Sequence, residues 1–318
     1  MDKGDRIGLA ILAGAIGLSA VLVGNPYYLG VLTFVGMYVL IATGLSLLMG
    51  YAGQISLGHA AFFAVGAYTS GLSTTRWGFH PIPALLVALV LAALLALSVG
   101  LPTLRLRGHY LAMATLGFGE VVYIFLNASV SLTGGPSGFG GIPRLGVESL
   151  VIEDPRACYV TVWAFALLAL MLTLNLIHSR VGRALRTLHT GEVAASSVGV
   201  HVARYKLQAF VWSALLACLA GSFYAHFVTF ISPSSFGLKA SILFVAMVVV
   251  GGLSSVWGAV MGAVLLGLLP EVLRGFRDYD ILVYGGILLG IMLFAPQGLF
   301  GALRELSSRL KPLASPEE

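Results

Sequence analysis

Read from the amino terminus, the chain alternates long apolar runs with short polar joints. The apolar windows of roughly spanning length are Ile7 to Gly24, Leu29 to Met49, Leu57 to Ser73, Ile82 to Leu101, Tyr110 to Ala128, Cys158 to Ile177, Leu207 to Phe230, Ser241 to Gly252, Val256 to Leu269 and Ile281 to Phe294. A helix rises about 1.5 Å per residue, so about 20 apolar residues cross a hydrocarbon core. The windows predict an all-α, polytopic integral membrane helical bundle of eight to ten transmembrane segments. Between Lys239 and Glu271 an uncharged run is too long for one helix and short for two. Gly251, Gly252, Ser254 and Ser255 interrupt it, which predicts two short or tilted helices joined by a tight turn. The first window follows Lys3 and Arg6, as in a signal peptide. It is longer than a usual signal core and no small-x-small site follows it, so a retained first span is expected.

Two polar intervals are long enough to carry structure of their own. Ser129 to Ala157 holds Gly134, Gly135, Pro136, Gly138, Gly140, Gly141 and Pro143, a spacing that forbids a long helix and permits tight turns. It reads either as a flexible loop or as an ordered docking surface. Ser179 to Lys206 carries Arg180, Arg183, Arg186, Arg204 and Lys206 against one acid, Glu192. Within it, Val181 to Leu188 turns Ala184, Leu185 and Leu188 to one face and Arg183 and Arg186 away. A second short helix is predicted after Thr190 as N-cap, with Glu192 in the first turn, where a negative charge suits the dipole. Ala194, Ala195 and Val198 make its small-residue face and Gly199 closes it. Such a face lets another surface approach closely; an ordinary solvated basic loop is the plainer alternative. The tail, residues 311–318, is expected to be flexible.

Composition moves the picture from apolar to membrane-embedded. With 58% hydrophobic and 10% charged residues and a mean hydropathy of +0.96, the chain lies outside the range of soluble domains. If Met1 is cytoplasmic and every window crosses, twelve of the 18 Lys and Arg residues fall on the inner side. The positive-inside rule then predicts both termini and the 179–206 loop in the cytoplasm, and the 129–157 loop outside. The basic excess is explained by that inner face, without nucleic acid. Cys158 and Cys218 lie in apolar segments and form no disulfide framework. The seven histidines never fall three or four apart, and neither HExxH nor GxxxxGK[ST] occurs. No metal, cofactor or catalytic residue is therefore expected, and the chain is not read as an enzyme.

Some polar residues stand where lipid is expected. Gly50 to Ser70 mixes Gly50, Gly53, Gly58 and Gly66 with Gln54, Ser56 and His59. Broken backbone at membrane depth is tolerated only where protein or a water-filled cavity satisfies it, so Gln54, Ser56 and His59 are candidates for lining a translocation path. Close helix packing with His59 hydrogen-bonded to a neighbour is the competing reading. Glu120 lies mid-window, where a charged acid costs about 3 kcal/mol, so it is expected to face inward, either on the path, or in an interhelical pair with Arg105 or Arg107, or as a protonated, hydrogen-bonded acid. Gly258 and Gly262, and Gly286 and Gly290, have the GxxxG spacing of close helix contacts.

Taken together, four stretches resemble the LivM-type permease family of branched-chain amino acid ABC importers. They are GLSLLMGYAGQISLGHAAFFAVGAYTS at Gly44 to Ser70; LRLRGHYLAMATLGFGEVVY at Leu104 to Tyr123, with TGGPSGFGGIP at Thr133 to Pro143; GRALRTLHTGEVAASSVGVHVARYKLQAFVWSALLACLAGSFYA at Gly182 to Ala225; and VVVGGLSSVWGAVMGA at Val248 to Ala263, with FAPQGLFG at Phe294 to Gly301. The resemblance implies a permease subunit in a bacterial cytoplasmic membrane that hydrolyses no ATP itself. Its implied partners are a second, LivH-type permease, two ABC ATPase subunits and a periplasmic or lipid-anchored substrate-binding protein. It also implies that Glu192, Ala194, Ala195 and Gly199 match the family's EAA coupling helix, with Arg183 and Arg186 just upstream. His189, Thr190 and Gly191 replace the charged run usual before that glutamate. Leucine, isoleucine and valine are the implied substrates, urea or short amides the alternative. A lone, ion-gradient-driven secondary transporter using Glu120 is the rival from another class.

Overall fold

The computed structural model describes residues 1–103, 106, 108–147, 150–151, 154–253, 255–273, 285–286, 289–290, 293 and 298–302. Arg105, Arg107, most of the tenth window and the tail 311–318 lie outside these. The described chain runs through α1 (Lys3–Leu22), α2 (Pro26–Leu45), a π-helical turn (Ser46–Tyr51), α3 (His59–Arg76), α4 (Pro81–Thr103), α5 (His109–Ala128) and the short α6 (Val130–Thr133). Then follow α7 (Pro155–His178), α8 (Arg180–Thr190), α9 (Glu192–Ser197), α10 (Val202–Val228), α11 (Leu238–Gly251) and α12 (Val256–Val272). Four two-residue strands, β1 (Phe139–Gly140), β2 (Gly146–Val147), β3 (Leu150–Val151) and β4 (Phe230–Ile231), form two small antiparallel pairs. The all-α membrane bundle is as expected: seven described helices are long and apolar enough to cross a bilayer.

Two helices in predicted spanning windows escape that criterion for physical reasons. α12 has 17 residues, one arm of the predicted hairpin with α11. α3 is 18 residues long but carries Ser, Thr, His and Gly throughout, because protein rather than lipid surrounds it. Its partner is α10, and contact is made through glycines: a Cβ on Gly66 would overlap the Cys218 carbonyl, and one on Gly221 the Phe63 carbonyl. Gly221→Val is expected to destabilise the bundle by about 1–3 kcal/mol, the usual cost of overpacking, read as a lower melting temperature of the detergent-solubilised protein. The same device joins α11 to α12, where Gly251, Gly258 and Gly262 each meet facing backbone, as the spacing of the last two predicted. α4 approaches with a small-residue stripe every fourth position, Ala84, Ala88, Ala92, Ala96 and Gly100, all buried.

At one end of the bundle the glycine-rich loop is ordered. β1 pairs with β4, Ile142 donates its N–H to the Thr229 carbonyl, and His226 Nδ1 donates to the Pro143 carbonyl at 2.7 Å. A carbonyl only accepts, so Nε2 of a neutral His226 accepts from Ser70, at 2.8 Å. Gly134, at φ +79°, takes a left-handed turn that leaves no room for a Cβ beside the Gly138 carbonyl. α7 begins at Pro155, inside the predicted loop, because Asp154 caps it by accepting from Arg156 N–H. The opposite, basic end gathers the amino terminus, the broken segment after α2, helices α8 and α9, and the α11–α12 turn. There α1, which buries no residue, is tied down by Asp5, whose carboxylate accepts from Trp257 Nε1 at 3.0 Å and meets His178 Nε2 at 2.6 Å.

Candidate functional site

Helix α8 forms as its pattern predicts. Ser179 caps it by accepting from Val181 N–H at 3.1 Å; Gly182, Ala184, Leu185 and Leu188 are buried, and Arg183 and Arg186 are exposed. The boundary with α9 differs from expectation. Thr190 turns its hydroxyl back to donate to the Thr187 carbonyl, so it ends α8, and extended Gly191 precedes α9 instead. Gly199 closes α9 at φ +82°, as predicted. Its N–H bonds the Ser196 carbonyl and that of Val200 bonds the Ala195 carbonyl, the paired bonds of a Schellman stop.

The small-residue face of α9 is split between two environments. Ala195 is fully buried against the bundle, whereas Ala194 and Val198 are exposed. Glu192 points inward and forms an ion pair with Lys206, which is 4% exposed at the start of α10. What α9 offers outward is therefore apolar: Val193 and Val198, 74% and 71% exposed, flanked by Ala194, Ser196 and Ser197.

On its inner side the loop rests on the broken segment. The Arg186 guanidinium lies 5.6 Å from the centroid of the Tyr51 ring. Gly53, at φ +65°, sits so close to His189 that a Cβ would lie 3.1 Å from Nδ1. On its other side, Gly50 lies against the Leu253 carbonyl in the α11–α12 turn, and the Tyr51 hydroxyl is beside the Val256 amide. The segment thus bridges α8 and the hairpin turn. π-helical turns of this kind often mark functional positions.

The polar residues predicted for the path are enclosed. Gln54, Ser56 and His59 are 3%, 1% and 1% exposed. His59 hydrogen-bonds Ser56 Oγ at 3.1 Å and Ser213 Oγ at 2.7 Å, so it links the break to α10. Thr115 on α5 accepts from Leu57 N–H and Ser241 on α11 from Ala60 N–H, and these side chains satisfy backbone that a continuous helix would satisfy itself. Gln54 Nε2 has no partner among the described residues. Glu120 is not drawn into this network. It is half-buried on the outward face of α5, beside Met113, Val121 and Ile124, each more than 60% exposed, and no partner for it occurs among the described residues.

Asp2, Asp5 and His178 are the only described group of three side chains placed to share a metal ion. Both Asp5 oxygens already serve Trp257 and His178, and Asp2 is exposed, so the group works as a latch for α1. The Lys206 partner of Glu192 was absent from the sequence reading. The two residues lie fourteen positions apart on different helices, a spacing that carries no local signal.

The family model described as "Branched-chain amino acid transport system / permease component" matches residues 27–295. The high-affinity branched-chain amino acid transport system permease protein LivM of Escherichia coli is 35% identical over 295 residues, covering 86% of this chain and 69% of its own. LivH of the same organism is 28% identical over 284 residues, covering 83% of this chain and 91% of its own. BraD of Pseudomonas aeruginosa is 27% identical over 292 residues, covering 85% and 93%. No solved structure matches the chain. The match to most of the chain, and the LivM identity across it, establish that this protein belongs to the family of branched-chain amino acid transport system permease components.

Proposed function

We propose that the chain is one membrane-spanning permease subunit of an ATP-driven importer of leucine, isoleucine and valine in a bacterial cytoplasmic membrane, with both termini in the cytoplasm. It performs no covalent chemistry; ATP is bound and hydrolysed by two partner ATPases. The observation that carries the reading is α9, a short helix braced inward by the Glu192–Lys206 pair while Val193 and Val198 stand bare to solvent. An ATPase groove fits that face, with Arg183 and Arg186 at its edge. The names of the relatives support the substrate, and the likeness to both LivM and LivH supports a second permease as partner. A periplasmic or lipid-anchored binding protein delivers the amino acid to the opposite end. A carboxylate facing lipid costs about 3 kcal/mol, so the stripe of α5 that carries Met113, Glu120 and Ile124 is read as the side turned to the second permease and the water-filled path between them, with Val121 and Phe125 on the neighbouring flank toward α4. When the ATPases close, α8 shifts and carries the broken segment with it through Arg186 on Tyr51 and His189 on Gly53.

The test is uptake of labelled leucine into vesicles holding the chain with its second permease, ATPases and binding protein. Uptake is expected to require ATP. Val193→Asp with Val198→Asp is expected to reduce it, and ATPase co-purification, at least about tenfold, the loss of burial for two valines. Uptake that ignores ATP but collapses with the proton gradient would overturn the reading and shift attention to Glu120. Transport of urea or short amides in place of leucine would keep the coupling and replace the substrate.

A further inference from the structure

Between α3, α4 and α5, toward the glycine-rich end, lies a cavity of about 490 Å³. Val65, Leu72, Leu91, Leu95, Phe118 and Val122 are among the side chains that line it. Tyr68, Thr69 and Thr133 add only hydroxyls and no charged side chain lines it, so a free amino acid finds no counter-charge for its ammonium and carboxylate, and burying either charge unpaired is prohibitive. The mouth has a different character. Trp77 lines it at 62% exposure with Phe79 against its ring, and Arg76, exposed on the preceding residue, donates Nη2–H to the Ser131 carbonyl beside Leu132 and Thr133 of the rim. Tryptophan next to arginine marks the level of lipid headgroups, and the guanidinium keeps further N–H donors for a phosphate oxygen.

We propose that this cavity holds one acyl chain of an anionic phospholipid whose headgroup is bound by Arg76 at the Trp77 rim. The volume is within the usual range of small-ligand sites, the lining is dry, and the helices around it cross the bilayer, so the solvent that meets it is lipid. The bound chain wedges α4 from α5 and covers the exposed Val121 and Phe125 flank of the rim.

The experiment uses the full chain, with and without its partner permease, in phosphatidylcholine nanodiscs, titrated with phosphatidylglycerol carrying brominated acyl chains, which quench nearby tryptophan fluorescence. The Trp77 signal is isolated by subtracting the Trp77→Phe variant. Saturable quenching at low mole fraction is expected, lost in Val122→Phe, which fills the cavity, and about fivefold weaker in Arg76→Gln, the factor carried by one basic residue at an anionic headgroup. Both variants must elute and melt as wild type; should Val122→Phe fail to, Arg76→Gln alone decides. Quenching that never saturates and is unchanged in the variants would show bulk lipid only. Quenching abolished by the partner permease would give the cleft to that subunit, and displacement by leucine would make it part of the substrate route. Each of these three results overturns the proposal.

Discussion

Glu192→Arg is expected to abolish ATP-dependent leucine uptake in reconstituted vesicles, and Glu192→Lys combined with Lys206→Glu is expected to recover much of it. The reason lies in burial. Lys206 is 4% exposed, and its ammonium is held by the Glu192 carboxylate. Removing one partner of a buried pair leaves the other charge uncompensated at a cost of about 3–5 kcal/mol, and the partial exposure of Glu192 favours the lower figure. The penalty falls on α9, which has six residues and is too short to persist without tertiary support. α9 is therefore expected to detach while the bundle remains folded, seen as new protease cleavage between 191 and 200 with unchanged melting. The exchanged pair separates two roles for the glutamate. If its carboxylate serves within the chain, reversal of both charges restores uptake. If it meets a cation on the ATPase, the double variant stays dead, and the internal brace is not its function.

Tyr51→Ala is expected to leave assembly and ATP hydrolysis near normal but lower leucine imported per ATP about tenfold, because the ring joins α8 to the broken segment. Its loss removes the cation–π contact with the exposed Arg186, worth about 0.5–1 kcal/mol, and opens a void beside the Val256 amide. Tyr51→Phe keeps the ring and is expected to transport near wild type. A merely structural role would lower melting temperature and activity together in the alanine variant. An unchanged transport-to-hydrolysis ratio in a well-folded Tyr51→Ala complex would remove Tyr51 from the coupling route.

The spans and the loop helix α8 were legible because lipid imposes length and α8 imposes a face. Arg183 and Arg186 stand outward, and Ala184, Leu185 and Leu188 inward, as the 3.6-residue period requires. α3 was legible only as an odd stretch, since hydropathy measures fitness for lipid and its neighbours are protein. The helix boundary at Thr190 was misread because a threonine hydroxyl serves equally as a forward cap or as a donor to the preceding turn. Ala194 and Ala195 were placed on one face, although adjacent helical residues are turned about 100° apart, and burial divides them. Contacts between distant positions were illegible altogether: Lys206 with Glu192, Ser213 with His59, and β1 with β4 depend on how helices assemble. The alanine stripe of α4 repeats every fourth residue and was readable, yet alanine is so common in apolar windows that the repeat does not stand out.

The strand pair at the glycine-rich end has a geometric consequence. Together with the His226–Pro143 bond it joins the segment leaving α5 to the segment leaving α10, so those two helices share a fixed point there. A body fixed at one end moves by rotation, and displacement grows with distance from the pivot. Any tilt of α5 against α10 therefore opens widest at the basic end, some 30 Å away for a helix of twenty residues. A small angle at the clasp becomes an aperture at the end where α5 begins.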